Sequence, residues 1–175
     1  MFKNMTDIVL RHGKTESLKR FHPWVFSGAI YKIVLHGDEE LHEGDVVRVV
    51  ESIPSDNGSL ERFMAWGHYQ VGSIAVRVLS FEDRPIDRDF WKGRLAEAWQ
   101  ARKRLNVVRS DNTMFRMVHG EGDRLPGLIV DVYGDTAVMQ AQSVGMHHAR
   151  NILAEVIGEA TEGRVRNVFY KSETT

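Results

Sequence analysis

The sequence predicts two domains: a small all-β barrel over residues 1–80 and a small two-layer α+β domain over residues 81–175. Three observations predict this division. In the first part, short apolar runs alternate with glycine-containing turns, a pattern typical of small barrels. The second part combines strand-like runs with apolar residues at helical spacing. Between the two parts lies the charged segment 80–89, which Pro85 interrupts, and we place the domain boundary there.

The predicted barrel consists of five apolar runs bounded by turn signals. Alternation is clearest where Ile74, Val76 and Val78 share one face of a strand, while Ser73 and Arg77 share the other. The strands are predicted at Asp7–Arg11, Val25–Leu35, Asp45–Glu51, Arg62–Tyr69 and Ser73–Leu79, with turns at Gly37-Asp38 and Gly44-Asp45 and a polar loop at Pro54–Gly58.

A long helix over Arg88–Asn106 is the main element of the second domain. Asp87 is a suitable N-cap residue, and apolar side chains recur three and four residues apart along one side. These side chains are Phe90, Trp91, Leu95, Ala98, Trp99 and Leu105. A second helix is predicted over Met146–Ile157, and strands are predicted over Met114–Val118, Gly127–Tyr133, Thr136–Ala141 and Asn167–Tyr170, with a hairpin turn at Gly134-Asp135.

The composition excludes several classes of function. The 23 Lys and Arg residues nearly balance the 24 Asp and Glu residues, so nucleic-acid binding has to rest on a local patch. Without cysteine, the chain has no disulfide, thiolate metal site or cysteine nucleophile. The longest apolar run, Phe63–Trp66, is far shorter than the roughly 20 residues that cross a bilayer, and no secretory signal is present. We therefore expect a cytoplasmic protein with no membrane contact.

The first candidate site is the segment Lys14–Trp24. It places the cations Lys14, Lys19 and Arg20 and the titratable His22 beside the aromatic rings of Phe21 and Trp24. Cations bind phosphates and aromatic rings stack on bases, so this mixture is typical of RNA-binding loops. The alternative interpretation is a solvated charged loop next to an ordinary apolar core.

The second and third candidate sites lie in the α+β domain. Glu121, Asp123 and Arg124 form part of a loop in which glycines permit sharp turns and carboxylates can hold an arginine or a nucleotide. The third candidate site is the cationic triplet Arg102, Lys103 and Arg104 at the end of the long helix. The alternatives are a tight turn with exposed acids and a solvated helix end, where cations often collect.

The sequence predicts no metal site and no catalytic residues. Neighbouring helical histidines such as His147 and His148 point about 100 degrees apart, so they do not readily share one ion. The Gly120–Gly122 pair lacks the third glycine and the following helix of a dinucleotide-binding loop. No Ser-His-Asp arrangement or Walker loop is present either.

Four segments of the sequence resemble a known family. They are KRFHPWVFSGAI (Lys19–Ile30), MAWGHYQVGSIAVRVLS (Met64–Ser80), EAWQAR (Glu97–Arg102) and GEGDRLPGLIVDVYGD (Gly120–Asp135). Together they resemble class I SAM-dependent RNA methyltransferases that make 5-methylcytosine in bacterial large-subunit rRNA. The resemblance runs in register from about Lys14 to Lys171, and the segment at Gly120–Asp135 is its most specific part.

The resemblance implies an N-terminal PUA domain that binds RNA, a central α+β domain, and a larger Rossmann-like domain that binds S-adenosylmethionine (SAM). The third domain is absent from this chain, and only Lys171–Thr175 follow the last predicted strand. We therefore expect a fragment of a longer protein. Family enzymes use a Gly-rich SAM loop and a cysteine that adds to carbon 6 of cytosine. This sequence has neither, so SAM is implied for the full-length protein only, and no catalytic or cofactor-binding residue is assigned here.

Only substrate-handling roles follow from the resemblance. Lys19, Arg20, His22 and Trp24 match the PUA element and become candidates for phosphate and base contacts. The loop with Glu121, Asp123 and Arg124 is expected to face either the missing catalytic domain or a flipped base.

Three hypotheses for the function remain. The first is the RNA-recognition portion of an rRNA methyltransferase, inactive by itself, with rRNA and the missing catalytic domain as partners. The second is a free-standing RNA-binding adaptor. The third is a structural or dimerisation module in which Trp66, Trp91 and Trp99 serve only packing. Whether the gene continues past Thr175 with a Gly-rich SAM loop and a cysteine separates the first two.

Overall fold

The computed structural model describes residues 5–38, 40–56 and 58–172. The chain divides into two compact units between Arg84 and Pro85, within the charged segment noted above. Each unit has its own sheet, and they are described separately.

The first unit contains one six-stranded sheet that curls into a half-barrel. Its elements are β1 (Met5–Leu10), α1 (Glu16–Lys19), β2 (Trp24–Phe26), β3 (Ile30–His36), β4 (Val46–Ser55), β5 (Gly58–Tyr69) and β6 (Ile74–Ser80). The strand order is β2-β6-β5-β4-β1-β3, in which only the β1–β4 pair is parallel. The apolar side chains that the sheet encloses are Ile8, Leu10, Leu18, Val25, Val47, Val49, Ala65, Val76 and Val78.

The β architecture predicted for this unit is confirmed, with two differences. The unit is not entirely β, because the short helix α1 lies between β1 and β2. A four-residue helix with one buried side chain, Leu18, has no apolar periodicity to recognise. In addition, no ladder joins β2 to β3 within the described residues, so the barrel is open between these strands.

The single strand predicted over Val25–Leu35 is wrong. A 3₁₀ turn at Ser27–Ala29 breaks it into β2 and β3. The two pieces pair with different strands, β2 with β6 and β3 with β1. The turn connects the piece that pairs with β6 to the piece that pairs with β1. The local sequence does not specify these pairings. The predicted loop at Pro54–Gly58 also differs, because Pro54, Ser55 and Gly58 belong to the β4–β5 ladder; residue 57 lies outside the described residues.

The second unit has a four-stranded sheet with helices packed against it. Its elements are α2 (Arg88–Arg104), β7 (Met114–His119), β8 (Leu128–Tyr133), β9 (Thr136–Ala141), α3 (Val144–His148), α4 (Arg150–Ala160) and β10 (Asn167–Tyr170). The strand order is β10-β9-β8-β7, and β10 runs parallel to β9. The α+β class, the four strands and the hairpin turn between Tyr133 and Thr136 are as predicted.

Helix α2 begins as the sequence predicts. The Asp87 side chain accepts a hydrogen bond from the Phe90 N–H at 3.0 Å, which caps the first turn. The predicted inward side chains are buried except Leu105, which lies beyond the last helical residue, Arg104, and is 71% exposed. The second predicted helix is divided at Ala149 into α3 and α4.

The three tryptophans of the packing hypothesis are core residues. Trp66, Trp91 and Trp99 are all buried. Their burial agrees with the packing role that this hypothesis gives them.

Candidate nucleic-acid interface

Helix α1 holds the first candidate segment against the sheet of the first unit. Leu18 is buried among the apolar side chains that the sheet encloses. The Thr15 hydroxyl donates to Glu51 Oε1 on β4 at 2.8 Å, and Arg62 on β5 pairs with the same carboxylate. Burial raises the pKa of Glu51, but the hydrogen bonds from Thr15 and Arg62 outweigh it and keep the pKa below its usual value. The ionised Glu51 thus fixes the start of α1.

The three predicted cations of this segment are exposed. Lys19 Nζ lies 2.7 Å from Glu16 Oε1 on the same helix, in an exposed pair of the kind that contributes little to stability. Within the described part of the chain, Lys14 and Arg20 have no ion pair at 4 Å or less. An incoming phosphate therefore meets at least two cations without competing carboxylates in contact.

His22, Trp24 and Phe26 form an aromatic cluster directly after the cations. The Trp24 N–H donates to His22 Nδ1 at 3.2 Å, which fixes the imidazole beside the indole. The His22 and Trp24 ring centroids lie 5.7 Å apart and edge to face, and Phe26 lies 6.1 Å from His22. Phe26 is 47% exposed, so the cluster includes an accessible apolar residue.

Arg77 belongs to this cluster, although sequence reasoning did not include it. Trp24 on β2 and Arg77 on β6 are direct partners in the ladder, and the guanidinium carbon lies 6.0 Å from the indole centroid. Arg77 Nε donates to Gln70 Oε1 at 2.7 Å, which fixes the guanidinium. The signal that reveals it is the alternation of β6, whose polar face carries Arg77.

The cationic triplet on α2 divides into different roles. Arg102 makes two hydrogen bonds to Asp123, at 2.5 and 2.7 Å, and a third from Nε to the Arg116 carbonyl. Lys103 Nζ lies 2.9 Å from Glu162 Oε2, in an exposed pair. The bidentate pair joins α2 to the loop at Asp123 and leaves the Arg102 side chain only 15% exposed. Lys103 and Arg104 remain exposed cations.

The predicted loop is a 3₁₀ turn at Gly120–Asp123 that follows β7. Asp123 faces inward, because its carboxylate also accepts the His119 N–H at 2.6 Å. Arg124 faces outward and pairs with Glu97 on α2 at 3.0 Å. Glu121, the other acid of the turn, is half-buried. The turn and α2 border a groove of about 570 Å³ lined by Glu97, Arg104, Gly122, Asp123 and Arg124 among others.

The described residues do not fit SAM. Strand β9 leads into α3 through Gln142 and Ser143, where a Gly-rich loop would be needed. Gly120 and Gly122 lead to β8 and not to a helix. The described ranges contain no group of three or more His, Asp or Glu residues placed to hold a metal ion. None of the helices in these ranges is long and apolar enough to span a bilayer.

The first unit matches a known domain family. Residues 8–81 match the PUA-like domain family. The PUA-like character expected for the first part is thereby confirmed, and we call residues 1–84 the PUA-like unit.

Over 151 residues, the chain is 36% identical to ribosomal RNA large subunit methyltransferase I of Vibrio cholerae, covering 86% of this chain and 35% of the relative. The protein of the same name from Shewanella amazonensis is 35% identical over 155 residues, covering 87% of this chain and 36% of the relative. The chain thus spans about a third of the length of the curated relatives it matches. This sequence similarity supports the expected relationship to large-subunit rRNA methyltransferases.

Solved structures show the same fold at low identity. A Streptococcus mutans protein assigned as a SAM-dependent methyltransferase superposes with a TM-score of 0.70 at 14% identity, over 95% of this chain and 41% of the other. A second structure is that of a protein assigned as a methyltransferase in complex with SAH. It superposes with a TM-score of 0.71 at 14% identity, over 95% of this chain and 40% of the other. At this identity the likeness concerns the fold alone.

Proposed function

We propose that this chain is the RNA-recognition portion of a SAM-dependent methyltransferase that forms 5-methylcytosine in large-subunit rRNA. It is inactive by itself and depends on a catalytic domain outside the chain. The observation that carries the proposal is the segment of the PUA-like unit in which the exposed cations Lys14, Lys19 and Arg20 are followed in the chain by the His22, Trp24 and Phe26 cluster. The similarity to rRNA methyltransferases supplies the class of RNA. The proposed place of action is the cytoplasm.

The two halves of this surface supply different parts of recognition. The cations contact phosphates and release counterions, which gives affinity without sequence information. The aromatic cluster offers ring faces to unpaired bases, and every base has a face that stacks. Arg77 adds a fixed cation above Trp24. The PUA-like unit therefore suits structured RNA in which a helix adjoins unpaired nucleotides.

The second unit has a supporting role in this proposal. Lys103 and Arg104 extend the cationic surface of α2, where helix C-termini favour positive charge. Arg124 and Glu121 are the residues of the 3₁₀ turn that we assign to facing the catalytic domain or the target base. Asp123 contributes by holding the turn to Arg102.

Reversing Lys19 and Arg20 together to glutamate is expected to weaken binding of a large-subunit rRNA fragment about tenfold. Two lost phosphate contacts also make the plot of log affinity against log salt shallower by about 1 to 2 units. Fluorescence anisotropy of labelled RNA between 50 and 300 mM salt measures both effects.

The matched control is Lys32→Glu with Lys171→Glu, which changes the net charge by the same amount at exposed positions on β3 and directly after β10. This variant should retain most of the affinity. If both double variants lose affinity equally, only overall charge matters, and the proposed surface is wrong. Circular dichroism checks that both variants are folded.

Calorimetric titration of the 175-residue chain with SAM is expected to show no binding, and the chain should not methylate rRNA. Methyl transfer to cytosine carbon 5 needs a bound methyl donor and a covalent nucleophile, and the sequence has no cysteine and no Gly-rich SAM loop. Joined to a C-terminal catalytic domain, the chain should support methylation. Stoichiometric SAM binding by the chain alone would contradict the proposal.

A further inference from the structure

Phe21 has a backbone conformation that phenylalanine rarely adopts. Its φ angle is +61°, in the left-handed region. The Phe21 N–H donates to the Leu18 carbonyl at 2.9 Å, and the His22 N–H donates to the Ser17 carbonyl at 3.0 Å. This pair of bonds is the Schellman motif that ends many helices, with Phe21 at the position where glycine is favoured.

Packing gives Phe21 little compensation for this conformation. The residue is 71% exposed. Within residues 5–38, 40–56 and 58–172, the ring has one aromatic contact, which is with Phe81, edge to face at a centroid distance of 5.2 Å. The strain of a bulky residue in the left-handed region is offset only in part by one edge-to-face contact, and such outliers cluster at functional sites.

The surroundings of Phe21 identify the chemistry of a ligand. Arg20 precedes it, and Lys14 and Lys19 lie on the same short segment. His22 follows it and leads into the aromatic cluster. An exposed aromatic ring among cations matches a nucleotide, whose base stacks while its phosphate pairs with the cations. A purely apolar protein partner would leave these cations without a counterpart.

We propose that Phe21 is a stacking platform for one unpaired base of the bound RNA. The inference rests on the proposed RNA-binding function and deepens it. Edge-on contact with Phe81 sets the orientation of the ring, and the Schellman motif directs it to solvent. The platform thereby favours RNA with unpaired nucleotides over a continuous duplex.

The test compares the full chain with its Phe21→Gly variant on two RNAs. One is a hairpin with an unpaired loop that contains 2-aminopurine, and the other is a blunt duplex with the same number of phosphates. Phe21→Gly should weaken hairpin binding about tenfold, as expected for one lost stack, and alter duplex binding less than twofold. The 2-aminopurine quenching seen with the original chain should diminish. Because glycine suits the left-handed position, the Tm should stay unchanged or rise.

Two further variants make the result specific. Phe21→Trp keeps a ring and should retain hairpin affinity. Tyr31→Ala removes another exposed aromatic residue of the same unit and should leave the affinities for the hairpin and the duplex unchanged. Unchanged hairpin binding by Phe21→Gly, while the charge reversal at Lys19 and Arg20 still weakens it, would overturn the stacking proposal alone. Equal loss on both RNAs, or a Tm lowered by several degrees, would also overturn it by assigning Phe21 a structural role. If the original chain binds neither RNA, the proposed function itself is wrong.

Discussion

Replacing Asp123 by alanine is expected to lower the free energy of unfolding of the second unit by about 3 kcal/mol. The carboxylate is only 8% exposed and accepts two hydrogen bonds from Arg102, whose side chain is 15% exposed. Its removal leaves a mostly buried guanidinium with the Arg116 carbonyl as its remaining partner and frees the His119 N–H. Breaking one side of a buried pair typically costs 3–5 kcal/mol, and residual exposure places the effect at the lower end.

Urea-induced unfolding followed by circular dichroism measures this loss. The matched control is Asp111→Ala, which removes an acid from the exposed Arg109–Asp111 pair and should cost less than about 0.5 kcal/mol. Arg102→Lys should resemble Asp123→Ala, because an ammonium cannot reproduce the bidentate geometry. Equal, small effects of Asp123→Ala and Asp111→Ala would mean that the pair does not stabilise the unit.

The elements that sequence reasoning placed well are those with local signals. Helix α2 has a capping aspartate at its start and apolar residues at three- and four-residue spacing, so its N-terminus was predicted to the residue. Its end was predicted two residues late, since Leu105 continues the apolar spacing but lies beyond the last turn. The break at Ser27–Ala29 has no comparable signal, because it depends on which distant strands β2 and β3 pair with.

The candidate surfaces show the same limit. The segment from Lys14 to Trp24 could be recognised because its cations and rings are consecutive in the chain. Arg77 joins them only through the β2–β6 ladder. Arg102 looked equivalent to Lys103 and Arg104, and its pairing with Asp123, 21 residues away, depends on the tertiary fold. The left-handed conformation of Phe21 was hidden for a similar reason, because α1 is too short for its C-terminus to be predicted.

Replacing Asp7 by asparagine is expected to lower the free energy of unfolding of the PUA-like unit by about 3 kcal/mol at pH 7. Asp7 on β1 is fully buried, and its carboxylate accepts two 2.7 Å hydrogen bonds from Arg48 on β4. His36 Nε2 on β3 lies 2.8 Å from Asp7 Oδ2, so one carboxylate connects three adjacent strands. The amide cannot replace the charge, and Glu61, 4.0 Å from Arg48, is the nearest remaining acid.

The pH dependence of this loss distinguishes a charge effect from a packing effect. Burial raises the pKa of Asp7, but hydrogen bonds from Arg48 and His36 outweigh it, so the pKa is lower in the folded state than in the unfolded chain. The stability that the charge contributes is therefore complete above the unfolded pKa and is lost as the pH falls through the folded pKa. The difference between the original chain and Asp7→Asn should persist from pH 7 to about pH 5 and shrink below about pH 4. Asp38→Asn, at an exposed position, should show no such difference. Urea unfolding at pH 7, 5, 4 and 3 tests this, and a difference that persists unchanged at pH 3 would show that Asp7 acts through its shape and not through its charge.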